Sequence, residues 1–360
     1  MSARKARRWV VVGTMLLALI LAACAPPARS GDAGQADAQV DEVQSEEAGE
    51  LVIYSGRREQ FVLPLIEKFE QQTGISVQLL SGSASQYALR IMDEARNPQA
   101  DIFFANDAGV MEKLRLEGML APYSSPALES IPSDLRAEDG SWIGLSGRAR
   151  VLIFNKDLIS EEDMPQSILD LADPQYADQF AITRAGNESM ISHLTAIRVL
   201  YGDEVLEELI RGMLANEPAI LGGHTDIRKA VGAGEFTFGL VNHYYYHLQL
   251  LEEQDNNVGG IYLDQGEDQM GTFLNVAGIA LIKGAPNQAQ AERFIEFLLE
   301  PEQLMMFATL NHETPVLPDA PVSEPIRPIE SFRRAPVSLM ELGAAWEETI
   351  GIMERAGYSE

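Results

Sequence analysis

Cysteine is almost missing from this chain: of 360 residues only Cys24 carries a thiol. No internal disulfide can form, so the fold must be held by its apolar core. Histidine is scarce, with five in all, and none stands in an HExxH pattern. There is no GxSxG elbow and no cysteine nucleophile in a catalytic setting. Gly232-Ala233-Gly234 is not followed by Lys-Ser or Lys-Thr, so it is a turn and not a phosphate loop. Basic residues are few: 27 Lys and Arg stand against 54 Asp and Glu, for a formal charge of −27. Such acidity argues against nucleic acid and against an anionic membrane face as partners. It suits attraction of cations or a saline or acidic habitat equally. Long apolar runs are missing except at residues 9–21, too short for a membrane span.

What is there begins with an export signal. Arg4, Lys5, Arg7 and Arg8 precede that run, and Leu21-Ala22-Ala23-Cys24 closes it. The pattern resembles a bacterial lipobox, which predicts a signal peptide over 1–23, cleavage before Cys24 and lipidation of its sulfur. The protein would then lie in the cell envelope, lipid-anchored on the outer face of the cytoplasmic membrane or in the periplasm. Residues 24–50 are poor in large apolar side chains and rich in Asp, Glu, Gln, Ala and Gly, an acidic tether. The remainder exceeds the ~250–300 residues at which one core stops growing, so two lobes are expected.

Periodicity supplies the fold class. Strands at 51–54, 75–80 and 100–105 alternate with helices at 59–72, 85–96 and 108–118. A second series has strands at 151–154, 180–183 and 219–221, and one ending at Val241, with helices at 194–200, 203–215 and 224–231 between them. A strand at 276–282 and helices at 288–299, 301–310 and 338–356 follow. Such alternation predicts an α/β protein with parallel sheet and crossovers. Ligands then sit beyond the carboxyl ends of the strands, near 55–58 and 106–109. Trp142 is expected to pack near a hinge.

The unusual stretch is Asn242-His243-Tyr244-Tyr245-Tyr246-His247, placed after the apolar run 236–241. Where a strand ends and a helix begins, adjacent side chains can share one ligand, and a helix N-terminus favours negative charge. Phenolate is a hard anionic donor. At neutral pH it costs roughly 4 kcal/mol, at ~1.36 per unit below a pKa of ~10. A trivalent hard cation can supply that; soft or divalent metals take His, Cys or carboxylate instead. The competing reading is that the aromatics pack a helix on a sheet, as expected for Tyr246. His243 and His247, at i,i+4, are read as partly exposed structural residues in preference to a metal pair.

Several segments in order carry a wider resemblance: Tyr54-Ser55-Gly56-Arg57, Ala100 through Gly109, Leu145-Ser146-Gly147-Arg148-Ala149-Arg150-Val151, Asp173-Pro174-Gln175-Tyr176, Ala230 through Glu235, and Gly239 through Tyr245. The chain resembles the ferric-ion-binding proteins of bacterial ABC iron importers, the bacterial transferrins. The resemblance implies a two-lobe periplasmic-binding-protein fold of type II, with discontinuous lobes joined by hinge strands. Lobe 1 would span 51–152 plus 276–360, and lobe 2 would span 153–275. It implies a monomer without enzymatic activity that binds Fe3+ through Tyr244 and Tyr245, with a synergistic anion such as carbonate. An ABC permease and its ATPase would be the partners. Anion contacts fall on Arg57, Arg58, Gly186, Thr225 and Asn242. The chain departs from the family pattern at Arg58, where some members have histidine, at Glu59 and Asn106, and near Glu188 or Ser189, where a further family tyrosine falls, leaving Glu59 and Asp107 as further metal or supporting groups. The alternative is the same fold binding an oxyanion or small organic solute such as phosphonate, sulfate or polyamine.

Overall fold

The computed structural model describes residues 49–359. The expected signal peptide, Cys24 and nearly all of the tether lie outside the described residues. Of the tether's last two positions, Glu50 already opens the first strand.

The chain runs β1 (Glu50–Ser55), α1 (Leu63–Thr73), β2 (Ser76–Ser81), α2 (Ala84–Asp93), β3 (Ile102–Ala105) and α3 (Ala108–Leu116), then enters the long β4 (Trp142–Asn155). A second series follows: β5 (Phe180–Thr183), α4 (Glu188–Tyr201), α5 (Asp203–Ala215), β6 (Ala219–Leu221), α6 (His224–Gly232), β7 (Phe238–Asn242), α7 (His243–Leu250) and β8 (Val258–Tyr262). The last part is β9 (Leu274–Leu281), α8 (Gln288–Leu299), α9 (Pro301–Asn311), β10 (Thr314–Pro315) and α10 (Leu339–Arg355). Among the described residues no helix is long and apolar enough to cross a membrane.

The strands lie in the order β2-β1-β3-β9-β4-β7-β5-β6. The expected parallel pairing holds at the outer strands, β1 with β2 and β3, and β5 with β6 and β7. The centre differs: β4 is antiparallel to β9, β7 and β8, and β3 to β9. β4 is the seam. Its first part, through Ala149, pairs with β9, and its last part, from Arg150, pairs with β7. All fourteen of its residues are buried, so one strand runs through both halves of the sheet. Periodicity gave only 151–154 of it, because two glycines and two arginines interrupt the apolar pattern upstream.

Local chemistry sets the helix boundaries. α1 starts at Leu63 and not at Glu59 because Pro64 fits only the first turn; a short 3-10 turn, Glu59–Phe61, precedes it. Gly74, at φ 72, ends it. α4 begins a turn and a half earlier than expected, at Glu188, because the Asn187 side chain accepts the Met190 N–H as a cap. α10 packs on both α3 and α4. Its contact with α3 is close: a Cβ on Gly109 would lie 2.6 Å from the Trp346 ring, and one on Gly343 2.6 Å from Glu112. Trp142 opens β4, fully buried, and donates its indole N–H to Glu112 at 2.8 Å.

Candidate functional site

The loops at the carboxyl ends of β1, β3, β5 and β6 and the start of α7 open on one hollow of about 380 Å3. Arg58 and Asn106 line it from the first half. Arg148 lines it from β4, Glu188 and Ser189 from the first turn of α4, Thr225 from α6, and Tyr245 from α7. A larger hollow of about 690 Å3 lies along α6 and the turn after α7. It shares only Asp226 with the first; Tyr245 lines the first hollow alone, and Tyr244 lines neither.

The tyrosine pair is held from below. β7 ends at Asn242, whose backbone is extended, and α7 starts at the next residue. Asn242 is fixed on three sides. Its N–H donates to His224 Nδ1 at 3.1 Å, its Oδ1 accepts from Arg150 Nη1 at 3.1 Å, and its Nδ2 donates to Ser189 Oγ at 3.2 Å. The rings of Tyr244 and Tyr245 lie 4.3 Å apart at 33°. Tyr244 is buried and Tyr245 half-buried. Burial raises the Tyr245 pKa, with the neighbouring Tyr244 adding to it, so Tyr245 is a neutral phenol in this structure. Tyr246 packs on the chain next door: a Cβ on Gly260 would meet its ring at 2.6 Å, which makes it a packing residue, as expected.

Two arginines on one face of β4 complete the floor, since positions two apart share a face. Arg148 Nη2 donates to the Tyr244 hydroxyl oxygen at 2.7 Å, its Nη1 to the Asn106 carbonyl, and its Nε stands 3.6 Å from Glu313. Burial disfavours this charge, but Tyr244 and Glu313 more than offset it, and the Arg148 pKa is raised. Arg150 has no carboxylate partner among the described residues; burial pushes its pKa down to about 9, still charged at neutral pH. His224 is kept neutral by burial and then by Arg150 and Arg148. The sequence offered a signal for these groups: charged side chains at alternate positions in an otherwise apolar strand.

The remaining expected residues separate. Arg58 reaches across the hollow, donating from Nη2 to Thr225 Oγ1 at 3.3 Å. Arg57 instead points inward, buried against Glu313 at 3.1 Å and 4.5 Å from the Phe307 ring centroid. Asp107 is buried beneath the hollow; it caps α3 at Gly109 and accepts from Ser192 Oγ at 2.6 Å and Asn275 Nδ2 at 2.8 Å. Burial, opposed by the Ser192 hydrogen bond and Arg148, pushes its pKa up to about 6. Glu59 is exposed in the 3-10 turn and does not line the hollow. Gly186 lines a different hollow beside Tyr358. His243 and His247, expected to be partly exposed, are fully buried. His243 Nδ1 accepts from the Ala149 N–H at 3.1 Å, and His247 Nδ1 contacts the His312 carbonyl at 2.9 Å. Among the described residues no group of three or more His, Cys, Asp or Glu is arranged to hold a metal; the side-chain oxygens that line the hollow are the hydroxyls of Ser189, Thr225 and Tyr245, the carboxylates of Glu188 and Asp226 and the amides of Asn106 and Asn187.

Residues 64–328 match the model of the family described as bacterial extracellular solute-binding protein. The chain belongs to that family. This solute-binding protein is 32% identical over 361 residues to iron uptake protein A1 of Synechocystis sp., covering 97% of this chain and 95% of that one. Among solved structures it is similar to a ferric binding protein from Campylobacter jejuni, with 30% identity, a TM-score of 0.80, and 86% and 99% of the two chains covered. It is also similar to a Trichodesmium protein in complex with iron and citrate ligands, with 29% identity, a TM-score of 0.77, and 86% and 100% covered. Its fold is the two-lobe type II binding-protein fold, and it is a binding protein, not an enzyme.

Proposed function

We propose that the protein captures Fe3+ in the hollow between its lobes, through the phenolate oxygens of Tyr244 and Tyr245, and delivers it to an ABC permease and its ATPase for iron uptake. The observation that supports this most is the pairing itself: two phenols side by side at the start of a helix, one bonded to a buried guanidinium. Phenols packed for burial alone do not call for a cation-stabilised oxygen. The relatives named above for iron uptake and ferric binding support the same cargo.

Two phenolates do not fill a ferric shell. A synergistic anion, carbonate or a carboxylate such as citrate, would complete it on Arg58, Thr225 and the first turn of α6, where free N–H groups and the helix dipole favour negative charge. Asn242 would hold the tyrosine turn, and Asp107 and Arg57 would support the site from outside the first contacts, whereas Glu59 and Gly186 would have no part in it. The lobes would comprise 51–152 plus 276–360 and 153–275, with β4 and β9 as hinge strands and closure around the ion. Cys24 would carry the lipid that keeps this monomer at the membrane.

The test is a visible absorption titration of the purified protein with ferric citrate, with and without carbonate. A phenolate-to-iron charge-transfer band is expected in the wild type, and Tyr244→Phe and Tyr245→Phe should each weaken or abolish it. Iron should be released as pH falls, because protons compete for the phenolate oxygens. No band, and no iron retained after desalting, would favour the second reading: Arg58, Arg148 and Thr225 would then serve an oxyanion.

A further inference from the structure

The ferric reading leaves a charge deficit. Two phenolates offset two of the three charges of the ion, and the guanidinium groups of Arg58 and Arg148 line the same hollow. A hard anionic oxygen from the protein itself would lower the cost of that crowding. Among the described residues only two carboxylates face the hollow, Asp226 and Glu188. Asp226 is exposed and lies back over its own turn: its Oδ2 would stand 2.8 Å from a Cβ on Gly222. It also faces the outer hollow.

Glu188 differs on each count. It is half-buried and stands at the first position of α4, whose Asn187 cap fixes the turn. Its neighbour Ser189 is tied to Asn242, the residue that launches the tyrosine pair. One of its oxygens, Oε1, accepts from Ser85 Oγ at 2.9 Å and from the Ser85 N–H at 3.4 Å. The other, Oε2, accepts no hydrogen bond among the described residues. Ser85 belongs to α2 in the first half of the fold, so the carboxylate already bridges the hollow with one oxygen while the second remains available.

We propose that Glu188 is a protein ligand of the ferric ion, giving Oε2 to the metal while Oε1 keeps its hold on Ser85. This rests on the ferric reading above. The shell would then hold two phenolates and one carboxylate from the protein, a neutral sum with Fe3+, before any anion joins. The Ser85 contact would join the ion's shell to the N-terminal turn of α2, so a filled site and a closed hollow would favour each other.

The experiment compares the wild type with Glu188→Gln and Ser85→Ala, with iron supplied as ferric nitrilotriacetate and withdrawn by citrate. The phenols are untouched in Glu188→Gln, so its charge-transfer band should persist. It should move to longer wavelength, because iron that loses an anionic oxygen becomes more electron-poor. Citrate should strip that variant at about tenfold lower concentration or less, whereas Ser85→Ala should keep the wild-type band. Glu188→Asp, which shortens the carboxylate by one methylene, should show a smaller shift and serves if Glu188→Gln folds poorly. An unmoved band in Glu188→Gln would overturn the proposal, as would Ser85→Ala reproducing the same shift, since the contact would then be only a clasp. A wild type with no band would instead overturn the ferric reading.

Discussion

Glu313 offers the sharpest test of how the site is supported. Its carboxylate is 1% exposed and follows α9. Both of its oxygens accept from Arg57 Nη2 at 3.1 Å, Oε2 also from the Ser146 hydroxyl, and Oε1 faces Arg148 Nε at 3.6 Å. One buried anion thus serves two buried cations, and one of those cations holds Tyr244. Glu313→Gln keeps the shape and removes the charge. The Arg57 guanidinium, 3% exposed, is then left without a counter-ion, and breaking a buried pair in this way costs about 3–5 kcal/mol. With an unfolding entropy that scales with chain length, about 1.5 °C per kcal/mol is expected here, so the melting midpoint should fall by about 5–7 °C. Arg57→Met alone should cost less, because Ser146 and Arg148 still satisfy the carboxylate. Combining the two should cost less than the sum of the singles by roughly 1.5 kcal/mol or more, since the stranded charge is gone. Urea denaturation of the wild type, both singles and the double variant reads these differences. Additivity within about 0.5 kcal/mol, or a loss below about 1 kcal/mol for Glu313→Gln, would refute the assignment of Glu313 as a shared counter-ion.

Other expected outcomes lie away from the tyrosines. Burial pushes the Asp264 pKa up to about 6 from 3.8, against the Ser167 hydrogen bond. The folded state therefore holds this proton more tightly than the unfolded chain, and stability falls as pH rises from about 4 to about 6. Asp264→Asn keeps the left-handed backbone at φ 62, which asparagine tolerates, and should flatten that slope by up to roughly 2–3 kcal/mol; equal slopes in urea titrations at the two pH values would contradict this. Phe238 stacks on Phe180 at 5.3 Å and meets Tyr176 edge-on at 5.6 Å, so Phe238→Ala should lose about 3–5 kcal/mol. Gly343→Ala sets a methyl 2.6 Å from Glu112 and 2.9 Å from the Lys113 nitrogen and should cost about 1–3 kcal/mol, seen as a lower midpoint in thermal melts.

Much of the outer fold is legible in the sequence because it is locally encoded. The strand-helix units up to α3 and from β5 to α7 each carry their own periodicity and their own stops, such as Gly74 after α1. The seam is not local. β4 reads as a short apolar strand because Arg148 and Arg150 break its pattern, and their burial is made tolerable by groups far away in the chain, Asn106, Glu313 and Tyr244 for the first and Asn242 for the second. β8 and β10 are missed for a similar reason: each exists by pairing with β4. In the site, Tyr245, Arg58 and Thr225 line one hollow, while Tyr244 is buried behind them on Arg148. Arg57 and Arg58 cannot be told apart by sequence, since adjacent turn residues point in different directions. Only the fold shows that one meets Glu313 and the other Thr225.

On the proposed ferric reading, the hydrogen bond between Arg148 and Tyr244 would require iron and a guanidinium to coexist at one oxygen. A phenolate oxygen has room for a metal and a hydrogen-bond donor together. If Arg148 keeps its bond at 2.7 Å when the ion arrives, it withdraws electron density from the coordinated phenolate and raises the energy of the charge-transfer transition. Arg148→Met removes the donor, so the band of the iron-loaded variant should move to lower energy, and iron should be held less tightly. Arg148→Lys keeps a charge but cannot fork to both the Asn106 carbonyl and Tyr244, so it should fall between the two. An Arg148→Met band at the wild-type wavelength would mean that Arg148 leaves Tyr244 when iron binds. The buried guanidinium would then belong to the empty site, holding the phenol in place until the cation displaces it.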